Sequence, residues 1–212
     1  TRAFAAVARI ATVPNILVVH PSVPAADLAG FVAYAKANPG KLNYASGGNG
    51  SAAHIATAYL AHAAGLSLVH VPYRGTGPAV NDLIGGHIQV MLSGGPALLP
   101  QIEAGTVRAL AVSSRTRAAF APTLPTIADA LAPGFEAVQW HGLVAPAGTP
   151  AAIVGRVNAL VNAALATPEL QETLRKEGAT AAAGTPEEFA RMIASEIALW
   201  RDVIRRAGIT IG

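Results

Sequence analysis

The chain has 212 residues, 52% of them apolar and 13% charged, with a formal net charge of +3 and no cysteine. Such a chain can bury one large or two small cores, so a disordered class is excluded. Disulfides and thiolate metal sites are excluded as well.

Near the N-terminus, Arg2 precedes apolar residues, but Arg9, Pro14 and Asn15 interrupt any clean hydrophobic region, so no signal peptide is expected there. Val13 to His20 reads as a buried strand that Pro21 and Pro24 cut off. A helix is expected from about Ala25 to Asn38, with Leu28, Phe31, Val32 and Ala35 on one face and Asn38-Pro39-Gly40 as its stop. Short strands and helices then alternate: strand 41–45, helix 51–64, strand 67–71, helix 78–85, strand 88–92, helix 96–104 and strand 107–112. Alternation with short connections signals βαβ units and a mostly parallel sheet.

The rhythm changes after that. Residues 118–132 form a proline-punctuated loop with a short helix, and 135–145 read as a long strand. Helices follow near 149–166, 168–177 and 186–207. The last spaces Phe189, Ile193, Ile197, Trp200 and Ile204 by threes and fours, an amphipathic pattern that Gly208 ends. No run reaches the roughly 18 apolar residues of a spanning helix; the richest stretch, 151–166, contains Arg156, Asn158 and Asn162. Direct membrane insertion is therefore not expected. The terminal helices present apolar faces, yet the C-terminal third offers only one good strand for them to cover. The sheet beneath them is expected to be incomplete.

Three of the expected strands run into glycine just before a helix. Leu42–Ser46 meets GGNGS, Val69–Tyr73 meets RGTGP, and Ile88–Ser93 meets GGP. In an open α/β sheet such loops lie at the carboxyl ends of strands, where ligands bind. Helix N-termini there carry partial positive charge and unpaired N–H groups, a receptor for an anion that needs no catalytic side chain. The loops also lie in the basic part of the chain: residues 1–120 hold eight Lys/Arg against three Asp/Glu, and the remainder seven against nine. The balance favours an anionic ligand. With no arginine stripe and 5% aromatic residues, nucleic acid is not an expected partner.

The segments KLNYASGGNGSAAH, VPYRGTGPAVNDLIGGHI, RALAVSS, LPTIAD and WHGLVAPAGTP, in that order, resemble the Bug-type substrate-binding proteins. These are the extracytoplasmic receptors of tripartite tricarboxylate transporters. The resemblance implies an α/β, two-lobe, periplasmic-binding-protein-like (type II) architecture. It implies a periplasmic location, a small carboxylate as ligand and membrane transporter subunits as partners. One lobe would span residues 20–135. The other would be built from 1–19 and 136–212, with crossing strands and the C-terminal helices. Family members begin with a signal sequence and a βαβ segment carrying a proline-glycine-glycine loop, which this sequence does not contain. The resemblance thus implies a first lobe that is incomplete, truncated by roughly a third of a mature receptor.

The candidate ligand-binding residues are Ser46, Gly48, Asn49, Gly50 and Ser51 in the first loop, and Tyr73, Gly75, Thr76 and Gly77 in the second. Ser93, beside Gly94 and Gly95, marks the third, and Trp140 is expected in the strand crossing back from one lobe to the other. Each has a plainer reading: Ser51 as a helix cap, Pro78 as a first helical residue, Trp140 as core. G-N-G-S-A-A also varies the dinucleotide fingerprint. The acid expected about 20 residues later is replaced by Val71-Pro72-Tyr73-Arg74, leaving an NADP-dependent enzyme as the alternative. A hydrolase would want G-x-S-x-G, which neither Ser51 nor Ser93 provides. Catalytic residues, a cofactor and a metal are not expected. The six histidines, His20, His54, His62, His70, His87 and His141, show no ligand spacing with carboxylates.

Overall fold

The computed structural model describes residues 3–206, 208 and 209. Expectations placed on Thr1, Arg2, Ala207 and the last three residues lie outside the described residues. The chain divides into two compact units: one takes residues up to Val13 together with Trp140–Asp202, the other Pro14–Gln139 and the residues from Val203 onward.

In the second unit, strands β2 (Leu42–Ser46), β3 (Leu68–Pro72), β4 (Val90–Gly94) and β5 (Arg108–Val112) join the end of β1 (Phe4–Val19) in the order β3-β2-β4-β1-β5. β2 is parallel to both β3 and β4. β1 is antiparallel to β4 and β5. The sheet is thus parallel except for β1. Four of its residues, Ile16 to Val19, are fully buried. The helices are α1 (Leu28–Ala37), α2 (Ala52–Ala64), α3 (Thr76–Ile84), α4 (Gly95–Glu103) and the short α5 (Ile127–Ala130). Strand side chains alternate between faces. On one face Ile16, Val18, Ala45 and Met91 meet Ala79, Val80 and Leu83 of α3 and Leu98 of α4. On the other, Tyr44 of β2 meets α2.

In the first unit, the beginning of β1 pairs with β6 (Val138–Pro146) and β7 (Thr180–Ala181). It is joined by α6 (Ala151–Leu165), α7 (Pro168–Lys176) and most of α8 (Pro186–Arg206). The asparagines that interrupt the apolar run of α6 fasten it. The Asn158 amide donates to the carbonyls of Val7 and Gly184, both at 2.9 Å, and Asn162 exchanges bonds with Gly184 at 3.0 and 3.2 Å. Trp140 packs edge-on against Phe189 of α8, ring centres 5.3 Å apart.

Several boundaries differ from expectation. β1 begins at Phe4 rather than Val13, because Arg9 and Pro14 disguise a strand whose Val7, Ala8, Ala11 and Val13 are buried. Pro14, which has no N–H to give a ladder, falls after the pairing to β7 at Thr12 and before the pairing to β4 at Asn15. α1 starts later, after Asp27, whose carboxylate accepts from the Gly30 N–H at 2.8 Å. α3 starts two residues earlier, at Thr76, so Pro78 is its third residue; the first turn tolerates proline because an N–H there has no helical partner. Ser93 and Gly94 belong to β4, Ser93 opposite Ile16, and helix α4 follows with no loop. The expected strand at 135–145 begins at Val138; Phe135 is instead a buried plug stacked on Tyr59. The two-residue β7 had no pattern long enough to signal it.

Candidate functional site

β2, β3 and β4 lie side by side and point the same way, so their carboxyl ends share one edge of the sheet. Each runs into a helix. α2 begins after Ser51, α3 after Gly75 and α4 after Gly94. The first two loops touch: the Gly75 N–H donates to the Gly47 carbonyl at 3.3 Å, and the Tyr73 N–H to that of Ser46 at 3.0 Å. Gly48 sits at φ +127°, and a Cβ on it would lie 3.3 Å from the Tyr73 carbonyl oxygen, so only glycine fits without strain.

The first loop is internally tied. Ser46, fully buried, accepts from the Gly48 N–H at 3.2 Å, donates to its carbonyl at 3.1 Å and meets His70 Nε2 at 2.6 Å. The Gly50 N–H donates to His54 Nδ1 at 3.1 Å, and the Ser51 N–H to the Gly48 carbonyl at 3.1 Å. The Ser51 hydroxyl caps α2 by accepting from the His54 N–H at 3.3 Å. Among the described residues, no group accepts from the Asn49 amide, whose side chain is exposed. At α3, Thr76 and Gly77 carry the two N–H groups that open the helix, since Pro78 has none. A Cβ on Gly47 would stand 3.5 Å from both the Thr76 N and its Oγ1, which places Thr76 at the mouth shared by the two loops.

Tyr73 is turned to other work. Its hydroxyl donates to Asp82 of α3 at 2.6 Å, its ring packs against the core beneath α3, and its pKa is pushed up to about 12 by burial and then by that carboxylate. Arg74 is exposed. Ser93 is buried in β4, and Trp140 belongs to the first unit, whereas the three loops belong to the second.

Two groups were not legible in the sequence. Asn15, buried in β1 opposite Gly94, accepts from Gln139 Nε2 at 2.6 Å and donates through its side chain to the Ala137 carbonyl. Its backbone N–H donates to the Ser113 hydroxyl and its carbonyl accepts from the Ser113 N–H, both at 2.9 Å. It braces the sheet where α4 starts. The second is a ring stack. Tyr44 and His70 are paired across β2 and β3, their rings 4.8 Å apart, and His54 lies flat on His70 at 3.8 Å and 5°. Burial, then the neighbouring His54, pulls His70 down to about 4; burial also lowers His54. The Ser46–His70 contact is no nucleophile pair, since Ser46 is fully buried and already bonded to Gly48. Among the described residues, no cluster of three or more His, Cys, Asp or Glu could hold a metal, and no helix is long and apolar enough to cross a membrane.

Residues 1–209 match the family TctC, the tripartite tricarboxylate transporter family receptor. A protein encoded in the tcbD-tcbE intergenic region of Pseudomonas sp. (strain P51) is 42% identical over 96% of this chain and 61% of its own length. A structure of R. palustris Rpa4515 with adipate superposes with a TM-score of 0.91 at 37% identity, over 98% of this chain and 70% of that one. MatC (Rpa3494) from Rhodopseudomonas palustris with bound malate gives 0.84 at 31%, over 95% and 69%. The chain therefore spans about three-fifths of the Pseudomonas relative's length.

Proposed function

The chain belongs to the tripartite tricarboxylate transporter receptor family, and on that premise we propose that it is the ligand-capturing part of an extracytoplasmic receptor for a small organic carboxylate, which it delivers to membrane transporter subunits. The observation that carries this reading is the shared edge of β2, β3 and β4, where three helix N-termini open beside one another and the Gly75–Gly47 bond draws two loops together. A carboxylate needs donors and positive potential, and helix N-termini offer both without a fixed cation. Thr76, Gly77 and Asn49 are the donors we assign, with Ser51 and Gly50 shaping the loop that presents Asn49. Neutral dipoles suit a receptor that must release its cargo, because a buried arginine–carboxylate pair is costly to break. The adipate and malate in the related structures support a carboxylate as the class of ligand.

Titration calorimetry against mono-, di- and tricarboxylates tests this, with NADPH and a simple ester alongside. It is run on this chain and on a version extended to the relatives' length. Saturable binding of one carboxylate class by the extended version is expected. NADPH binding in preference to every carboxylate, or turnover of the ester, would overturn the receptor reading.

A further inference from the structure

His54 stands in the first turn of α2, a residue only 7% exposed, and its Nδ1 receives the Gly50 N–H. An acceptor Nδ1 carries no proton, so the neutral ring holds its hydrogen on Nε2. The ring cannot swing away, because it lies flat on His70, which in turn lies on Tyr44 and is held by Ser46. The stack thus joins β2, β3 and α2 to both ends of the first loop, Ser46 and Gly50. We infer that His54, clamped by His70, is the positioning residue of the Ser46–Ser51 loop, and that protonating its imidazole unfastens the loop.

The chemistry follows from the geometry. A charged imidazole carries hydrogen on both nitrogens, so Nδ1–H would face the Gly50 N–H across 3.1 Å, donor against donor. The same charge would sit 3.8 Å from the parallel His70 ring, which could then charge only against it. The groups facing the stack offer no relief. Tyr44 comes from β2, His70 from β3, His62 from the same helix, and Arg206, a cation, from the end of α8. Among the described residues, no carboxylate lines this cleft of about 620 Å³. The stack therefore favours a neutral His54, as the downward direction of its pKa also indicates. The unfastened loop would present Asn49 differently to an anion, so acidity would weaken ligand capture. That last step rests on the carboxylate reading above, whereas the latch itself does not.

The test uses nitrogen-15 NMR on the 212-residue chain, following His54 Nδ1 and the exchange protection of the Gly50 amide through a pH titration. At neutral pH, Nδ1 should be unprotonated and Gly50 protected. Protonation of His54 should lower Gly50 protection about tenfold or more, the loss expected for one hydrogen bond, with a common midpoint. In His54→Asn, whose side-chain carbonyl can replace Nδ1 without titrating, Gly50 should stay protected through the same range. In His54→Leu it should be unprotected at every pH. Should the leucine variant not fold, the wild-type titration and the asparagine variant decide the matter. A protonated Nδ1 at neutral pH, or Gly50 protection that ignores the charge on His54, overturns the inference. Calorimetry with the carboxylate panel at each pH separates the two readings. Coupled changes at His54 and Gly50 with no carboxylate bound at any pH would leave the latch standing and remove the carboxylate site.

Discussion

The Gly75 N–H donates to the carbonyl of Gly47 across 3.3 Å, so the loop after β3 hangs from the loop after β2. Each loop's shape therefore depends on the other's. Gly48→Ala should disturb both, since the residue sits at φ +127° with the Tyr73 carbonyl oxygen close above it. A cost of about 1–3 kcal/mol in stability is expected, together with weaker carboxylate binding. Asn49→Ala is the contrast: an exposed side chain should change stability by no more than about 0.5 kcal/mol, so any loss of affinity is attributable to the ligand. Thermal denaturation and calorimetry on both variants check the pair. Equal affinity in Asn49→Ala and wild type would remove Asn49 from the site.

Asn15 is the brace at the same edge. Asn15→Ala removes the bonds to Ala137 and Gln139; the Ala137 carbonyl keeps the Ser113 hydroxyl at 2.6 Å, while the half-buried Gln139 amide loses its acceptor. Denaturant unfolding should show a loss of about 1–3 kcal/mol, larger than for alanine at an exposed position.

Gly142 in β6 carries a steric rather than a conformational requirement. A methyl group there would strike the Phe189 ring and stand 2.9 Å from the Ala8 carbonyl oxygen. The partner is a ring wedged against Trp140, so it cannot simply swing aside. Gly142→Ala should destabilise the first unit by about 1–3 kcal/mol through overpacking. The readout is the Trp140 and Trp200 fluorescence change during unfolding, with midpoints compared to wild type.

Stability should also depend on pH through His70. Its pKa is about 4 in the folded chain, against 6.5 in the absence of burial. Between those values the unfolded chain binds more protons, so stability rises with pH across that window. The contribution is fully present above about pH 6.5 and is lost as the pH falls towards about 4. Solvent beside the ring screens part of it, leaving about 1–2 kcal/mol. His70→Gln keeps a partner for Ser46 without titrating there, and should flatten that part of the stability–pH curve. An unchanged slope in the glutamine variant would assign the dependence elsewhere.

The alternation of short apolar runs with glycine and helical pattern was sufficient, from sequence alone, to place the α/β class, most element centres and the three strand-to-helix junctions. These features are local: a run's period and its stop residues lie within a few positions of one another. The family was legible for the same reason, through ordered segments such as KLNYASGGNGSAAH. Tertiary structure decided what each polar residue does. Asn158 and Asn162 looked like breaks in an apolar helix, and they bond to Val7 and Gly184, far away in sequence. Its place in the second loop makes Tyr73 a candidate ligand-binding residue, but α3 brings Asp82 to its hydroxyl. His54 and His70 showed no ligand spacing, and none was needed, because strand pairing sets Tyr44 beside His70 and the helix lays His54 on top. A hydrogen bond or a ring stack is made where the fold brings distant partners to within a few ångströms, and no sequence period records that distance.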